Sequence, residues 1–245
     1  MKIFKASIFF LVSLSLSGCD QLARGIDHKE LRITPTEMKH FVEEVKMDLV
    51  FVEGGEYLMG DYGLQHGAEQ MSHDWDKDSR PVHKVKLSTF SIARFKISNK
   101  EFEIYLKSNG LNLRSFEEGQ RQEDWKNIHS LPNLPAHMDW YEADRYCNWL
   151  AKVSNLPFSL PTEAQWEYAA RSRGQFLMVA TDDGTYRQTN DDFTEYGGGP
   201  KGINISTYRD REEFARKMGW TTDGLTPLPV DRFPPQSAGP LCHVG

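Results

Sequence analysis

Cysteine is scarce. The 245 residues hold three, at positions 19, 147 and 242, with no CxxC and no Cys/His spacing that would bind zinc. Long apolar runs are missing too: Ile8 to Leu16 is too short to cross a bilayer as a helix, and a polytopic membrane protein is excluded. Positive charge is in deficit, with 29 Lys and Arg against 35 Asp and Glu, a formal charge of −6 and a pI near 5.8. A nucleic-acid binder usually carries a basic face and a high pI, so that class is set aside. No internal repeat, heptad or Gly-X-Y period is visible, which removes coiled coil and collagen. What the chain does have is aromatic residues (6 Trp, 9 Tyr, 14 Phe) beside 19 Gly and 12 Pro. That mixture points to an irregular, well-packed domain rather than a helical bundle. With 39% apolar and 26% charged residues a folded core is expected, and the length suits one large domain or two small ones.

The N-terminus reads as an address. Lys2 and Lys5 precede the short apolar run, the order of a secretory signal. The run closes on Leu16-Ser17-Gly18-Cys19, which resembles the lipobox of bacterial lipoproteins. The resemblance implies that Cys19 becomes the lipidated first residue of the mature protein, palmitate included. Each buried methylene contributes ~0.8 kcal/mol, so three acyl chains hold effectively permanently. Asp20, next in line, resembles the sorting signal that retains lipoproteins in the inner membrane. The expectation is a periplasm-facing protein of the bacterial cell envelope, anchored in the inner membrane. Once Cys19 is acylated, Cys147 and Cys242 remain. In an oxidising compartment they are either bridged or, for Cys147, a small buried hydrophobe; the sequence leaves both open.

Along the chain, Thr34-Pro35-Thr36-Glu37 opens a helix expected over 36–46, at the end of a polar tether. Asp48 to Val52 reads as a strand, Gly54-Gly55 as a turn, and Tyr57 to Gly60 as a second strand paired with the first in a hairpin. Residues 61–80, rich in His, Asp, Gly and Gln, read as a long loop. Its His66, His73, Asp74, Asp76 and Asp78 match no metal-ligand template, and a solvated loop is the favoured reading. Val82 to Leu87 alternates with period two, and Phe90 to Phe95 follows as another strand. Ser98 with Glu101, Asp139 alone, and Thr162 with Gln165 mark three helix starts. In the last two helices Ala143, Tyr146, Cys147, Leu150 and Ala151, and then Trp166, Ala169 and Ala170, are the expected buried faces. Residues 109–135 and 172–245 show no clear periodicity. The whole reads as α+β with much coil.

Four segments resemble the formylglycine-generating enzyme family, also called sulfatase-modifying factors. They are Gly54-Gly55-Glu56-Tyr57-Leu58-Met59-Gly60; Arg80-Pro81-Val82-His83-Lys84-Val85 running on through Phe90 and Ile97 to Phe102; Leu134-Pro135-Ala136-His137-Met138-Asp139-Trp140 with Tyr146-Cys147 and Trp149-Leu150; and Leu160 to Arg171. The last is the most specific, twelve consecutive positions with Gln165 as the main departure. The resemblance implies an irregular, coil-rich fold related to C-type-lectin-like domains and incomplete at the C-terminus. It divides the chain into a signal peptide (1–18), a tether (19–45), the family domain (46–235) and an aberrant tail (236–245). Trp149, Trp166 and Tyr168 are expected to be core residues, and Trp166→Ala to be severely destabilising.

The family also binds structural calcium. The similar positions are Asn204 and the carbonyl of Ile205, and Asp223 and the carbonyl of Leu225; turn-forming Asn and Asp explain these residues equally well. In the family a pair of cysteines in the C-terminal third binds copper and oxidises a substrate cysteine to formylglycine. This chain offers no such pair, so copper lacks its ligands and no catalytic residue is assigned. One permitted back-translation of Gln236 to Gly245, read one base on, gives a string close to the family's continuation; the nucleotide sequence decides whether the reading frame was broken there. Two functions stay open: a family oxidation, inactive in this chain, acting on a protein substrate; or a non-catalytic envelope module that binds a carbohydrate, a cell-wall component or an effector protein, as an immunity protein would. Nucleic acid is not an expected partner.

Overall fold

The computed structural model describes residues 33–67, 70–75, 77–114, 122–177, 187–188, 196–197, 208–221 and 226–232. It is α+β, as expected. Helix α1 spans Pro35–Met47: Thr34 accepts from the Glu37 amide while the Glu37 carboxylate accepts from Thr34, and Pro35 takes a first-turn position whose amide would be unpaired anyway. Its Phe41, Val42 and Val45 are buried in the main core. The packed domain therefore begins before residue 46, and the helix placed at the end of the tether belongs to the core.

Strand β1 (Leu49–Val52) and strand β2 (Gly55–Met59) do not pair with each other, which corrects the expected hairpin. β1 pairs antiparallel with β4 (Phe90–Ala93), and β2 with β3 (His83–Leu87). Both ladders keep one register: Leu49 faces Ala93, Val52 faces Phe90, Gly55 faces Leu87 and Met59 faces His83. They are two halves of one long antiparallel ribbon, interrupted where Gly54 meets the segment Leu87–Thr89. A Cβ on Gly54 would lie 2.4 Å from the Leu87 carbonyl oxygen, and its amide donates to the Thr89 hydroxyl instead of to a ladder partner. The Gly-Gly pair permits this close approach rather than a chain reversal. The reversal is made by residues 60–82, which carry helix α2 (Gly63–His66).

Five further helices follow. Helix α3 (Asn99–Asn109) starts on the Ser98/Glu101 capping box and stops at Gly110, φ 64°. Helix α4 (Gln122–Ile128) lies within the stretch that showed no periodicity. Helix α5 (Trp140–Ser154) is capped by Asp139 with Glu142, and helix α6 (Glu163–Ala170) by Thr162 with Gln165. A short pair, β5 (Arg187–Gln188) with β6 (Tyr196–Gly197), and helix α7 (Tyr208–Met218) complete the described elements. Sequence pattern missed α2, α4 and α7.

Two apolar clusters hold these elements. The larger joins α1, α3 and α5 through Phe41, Phe102, Tyr105, Tyr146, Trp149 and Leu150, with ring centroids 5.3–5.7 Å apart for Tyr105–Trp149, Tyr105–Tyr146 and Tyr146–Trp149. The smaller sets Tyr168 of α6 against Tyr57 and Val52 of the ribbon. Trp166 is 46% exposed, against expectation. At 3.6 residues per turn it sits almost opposite Tyr168, and the helix can turn only one of them inward.

Candidate functional site

An apolar cleft of about 1000 Å³ opens between the ribbon and the helical core. Its floor is Phe41, Tyr146 and Leu150; strand β4 walls one side, Phe158 the other, and Trp166 stands at the rim. The cleft follows from local sequence: Asn155 in the left-handed region (φ 54°) ends α5 and turns the chain into Leu156–Pro161, which runs along the opening before Thr162 starts α6. Val230 donates its amide to the Asn133 carbonyl, tying the C-terminal segment to the same opening.

Several polar groups of the lining are engaged with one another. Lys100 Nζ is 2.9 Å from Glu44 at the mouth. The Glu101 carboxylate accepts from the Ser98 amide and hydroxyl, yet burial outweighs these bonds and holds its pKa above the ordinary value. The Lys96 ammonium, partly desolvated, is held below its ordinary range, with Arg211 adding repulsion. Cys147 is a free thiol on the cleft side of α5. Burial first, and the Asp144 carboxylate second, push it up to about 11, so at neutral pH it is a thiol and a poor metal ligand. Copper(I) asks for soft thiolates held together, and the described residues offer one protonated sulfur. They do not fit that metal.

The loop flagged for its His and Asp residues is organised by one residue that sequence reasoning passed over. Asp61, its side chain 1% exposed, accepts from the amides of Gly63, His73 and Asp74, the Ser72 hydroxyl and the Arg80 guanidinium (Nη2 at 2.7 Å). Arg80 also donates to Ser72 and to the Asp74 carbonyl. A guanidinium thus fills the place where carboxylate, hydroxyl and carbonyl oxygens converge. Among the described residues no group of three or more His, Cys, Asp or Glu could hold a metal. A second guanidinium, that of Arg171, is buried: it donates to the Leu58 carbonyl, pairs with Glu167, and lies 4.4 Å from the Tyr62 ring centroid. The last arginine of the most specific family segment therefore braces ribbon against helix. Cys19, Asp20, Asn204, Ile205, Asp223, Leu225, Cys242 and the tail 236–245 lie outside the described residues. No described helix is long and apolar enough to cross a membrane.

A family model described as the sulfatase-modifying factor enzyme 1-like domain matches residues 34–240. The chain is 28% identical over 144 residues to the serine/threonine-protein kinase pkn1 of Chlamydia caviae, covering 52% of this chain and 21% of that one. To the formylglycine-generating enzyme of Streptomyces coelicolor it is 27% identical over 159 residues, covering 50% of this chain and 46% of the enzyme. Among solved structures, PvdO from Pseudomonas aeruginosa aligns with a TM-score of 0.41 at 25% identity, over 56% of this chain and 52% of PvdO. The chain thus spans about a fifth to just under half the length of these two curated relatives.

Proposed function

Because the chain belongs to the sulfatase-modifying factor enzyme 1-like family, we propose that it is an envelope lipoprotein whose domain binds through its cleft and, in this chain, does not oxidise cysteine. The observation that carries the reading is the state of Cys147: the one free thiol among the described residues, pushed up to about 11, beside an apolar cleft of about 1000 Å³. The volume and lining suit recognition of an apolar group; the sulfur does not suit copper(I). The family's oxidation of a protein cysteine is the activity of the catalytic relatives, and the cleft of this chain offers a protein substrate or effector a place to dock.

The purified chain, incubated with a sulfatase-type cysteine peptide, copper, reductant and air, is expected to yield no aldehyde above the copper-only background by mass spectrometry. Turnover above that background overturns the non-catalytic reading. The anchor has its own test. Labelled palmitate is expected to enter the wild-type chain and to be lost in Cys19→Ser; equal labelling of both removes the anchor from the proposal. Periplasm-facing attachment to the inner membrane through Asp20 and a structural calcium at Asn204, Ile205, Asp223 and Leu225 complete the proposal.

A further inference from the structure

We propose that the open edge of strand β4 docks an extended segment of a partner protein, which adds to the ribbon as a further strand inside the cleft and sets a carboxylate against Lys96. The inference deepens the cleft-binding reading above and rests on it. The Arg94 amide donates to the Asp48 carbonyl, across the same register that sets Leu49 opposite Ala93. Bonded positions alternate along an antiparallel pair. Phe90, Ile92 and Arg94 therefore turn their backbone groups to β1, and Ser91 and Ala93 turn theirs outward. Among the described residues β4 pairs with β1 alone. The outward side is the cleft side: Thr89 and all four residues of β4 line the cleft, whereas β1 contributes only Leu49. A cleft lying on a sheet face would meet every second residue; one that meets an unbroken run lies along the edge.

The chemistry of the edge chooses the occupant. The amides and carbonyls of Ser91 and Ala93 repeat every ~6.7 Å, which is the spacing of another extended backbone. Exposed edges are usually blunted by charge or proline. Strand β3 follows that rule with Lys84 and Lys86, both exposed, whereas Phe90-Ser91-Ile92-Ala93 carries neither device. By strand spacings one residue of a packed sheet fills roughly 160 Å³. A cleft of about 1000 Å³ then seats on the order of six residues, the span from Ser91 to Lys96. Lys96 supplies the charge. It lines the same cleft, burial and the repulsion of Arg211 hold its ammonium below its ordinary range, and no carboxylate among the described residues pairs with it. An acidic residue at that end of the incoming strand complements it.

The test offers the full-length chain a pool of N-acetylated hexapeptides in which valine, isoleucine, leucine or phenylalanine alternates with threonine and the last position is aspartate or lysine. Aspartate-ended peptides are expected to be retained at least about tenfold over lysine-ended ones, and Lys96→Ala to remove that preference. N-methylation of alternate amides in the retained peptides is expected to weaken binding at least about tenfold in one phase and not in the other. Ser91→Pro removes an outward donor and leaves the ladder to β1 whole. It is expected to keep its melting temperature and to lose binding by the same factor. Undiminished binding by both methylated phases, or by Ser91→Pro, overturns strand addition and leaves the cleft reading standing. So does a pool from which nothing is retained while the apolar dye anilinonaphthalene sulfonate still shields Trp166 from acrylamide. Failure of peptides and dye alike overturns both. A dimer of the chain alone that Ser91→Pro dissociates gives the edge to a second copy and overturns the partner.

Discussion

Asp61→Ala is expected to cost the domain ~3–5 kcal/mol, because it leaves the partly buried Arg80 without its counter-charge and three backbone amides without an acceptor. Urea denaturation followed by circular dichroism measures it. Asp61→Asn preserves the shape and removes the charge, so it should lose a large part of that amount. The pH dependence follows from the direction of the Asp61 shift. Burial opposes ionisation, but the bonds from Ser72, His73, Gly63 and Asp74 prevail and hold the carboxyl well below its ordinary range. A carboxyl lowered in the folded state contributes stability that is fully present above its unfolded pKa of about 4 and is lost as pH falls through the folded value. The gap between wild type and Asp61→Asn should be widest near neutrality and shrink in acid. A gap independent of pH would show that Asp61 acts through shape alone.

Tyr168→Ala is expected to cost ~3–5 kcal/mol, and Trp166→Ala less than ~1 kcal/mol. They stand two positions apart on one helix. Tyr168 is 2% exposed, its ring 5.1 Å from that of Tyr57, and its hydroxyl donates to the Glu53 carbonyl. Trp166 stands at the cleft rim. Melting temperatures of the two variants, with Tyr168→Phe separating the hydrogen bond from the ring, decide the matter. Equal losses would place Trp166 in the core after all. A ligand that fills the cleft should instead protect Trp166 from aqueous quenchers.

The contrast shows what the sequence carries. The starts of α3 and α6 were legible because a capping box is a contact between residues three apart, and that of α5 through its Asp139 cap, to which the structure adds Glu142. Tyr146 and Leu150 were legible through helical spacing, Trp149 through the family segment it belongs to, and the family resemblance through a run of twelve residues. Trp166 was not: hydrophobicity alone does not say which of two aromatic faces a short helix turns inward. The hairpin reading failed because Gly-Gly is chemically a turn, and only the distant Leu87–Thr89 segment makes it a point of close approach. Asp61 went unnoticed because, apart from the Gly63 amide two residues on, its partners, Ser72 to Arg80, are 11 to 19 residues away and no spacing rule joins them. Helix α4 is seven residues long and too short to show a period, and in α7 charged residues fill seven of the eleven positions and mask its narrow apolar stripe.

The unbroken register of the ribbon governs how its length can change over generations. Pairing is the same on both sides of Gly54, so a residue gained or lost within either arm slips every pair beyond it and turns inward side chains outward. Descendants of this gene can vary in length between Met59 and His83, where the Asp61–Arg80 clasp closes the loop whatever it spans, but hardly at all between Leu49 and Met59. Insertions should therefore collect at the tip and spare the arms.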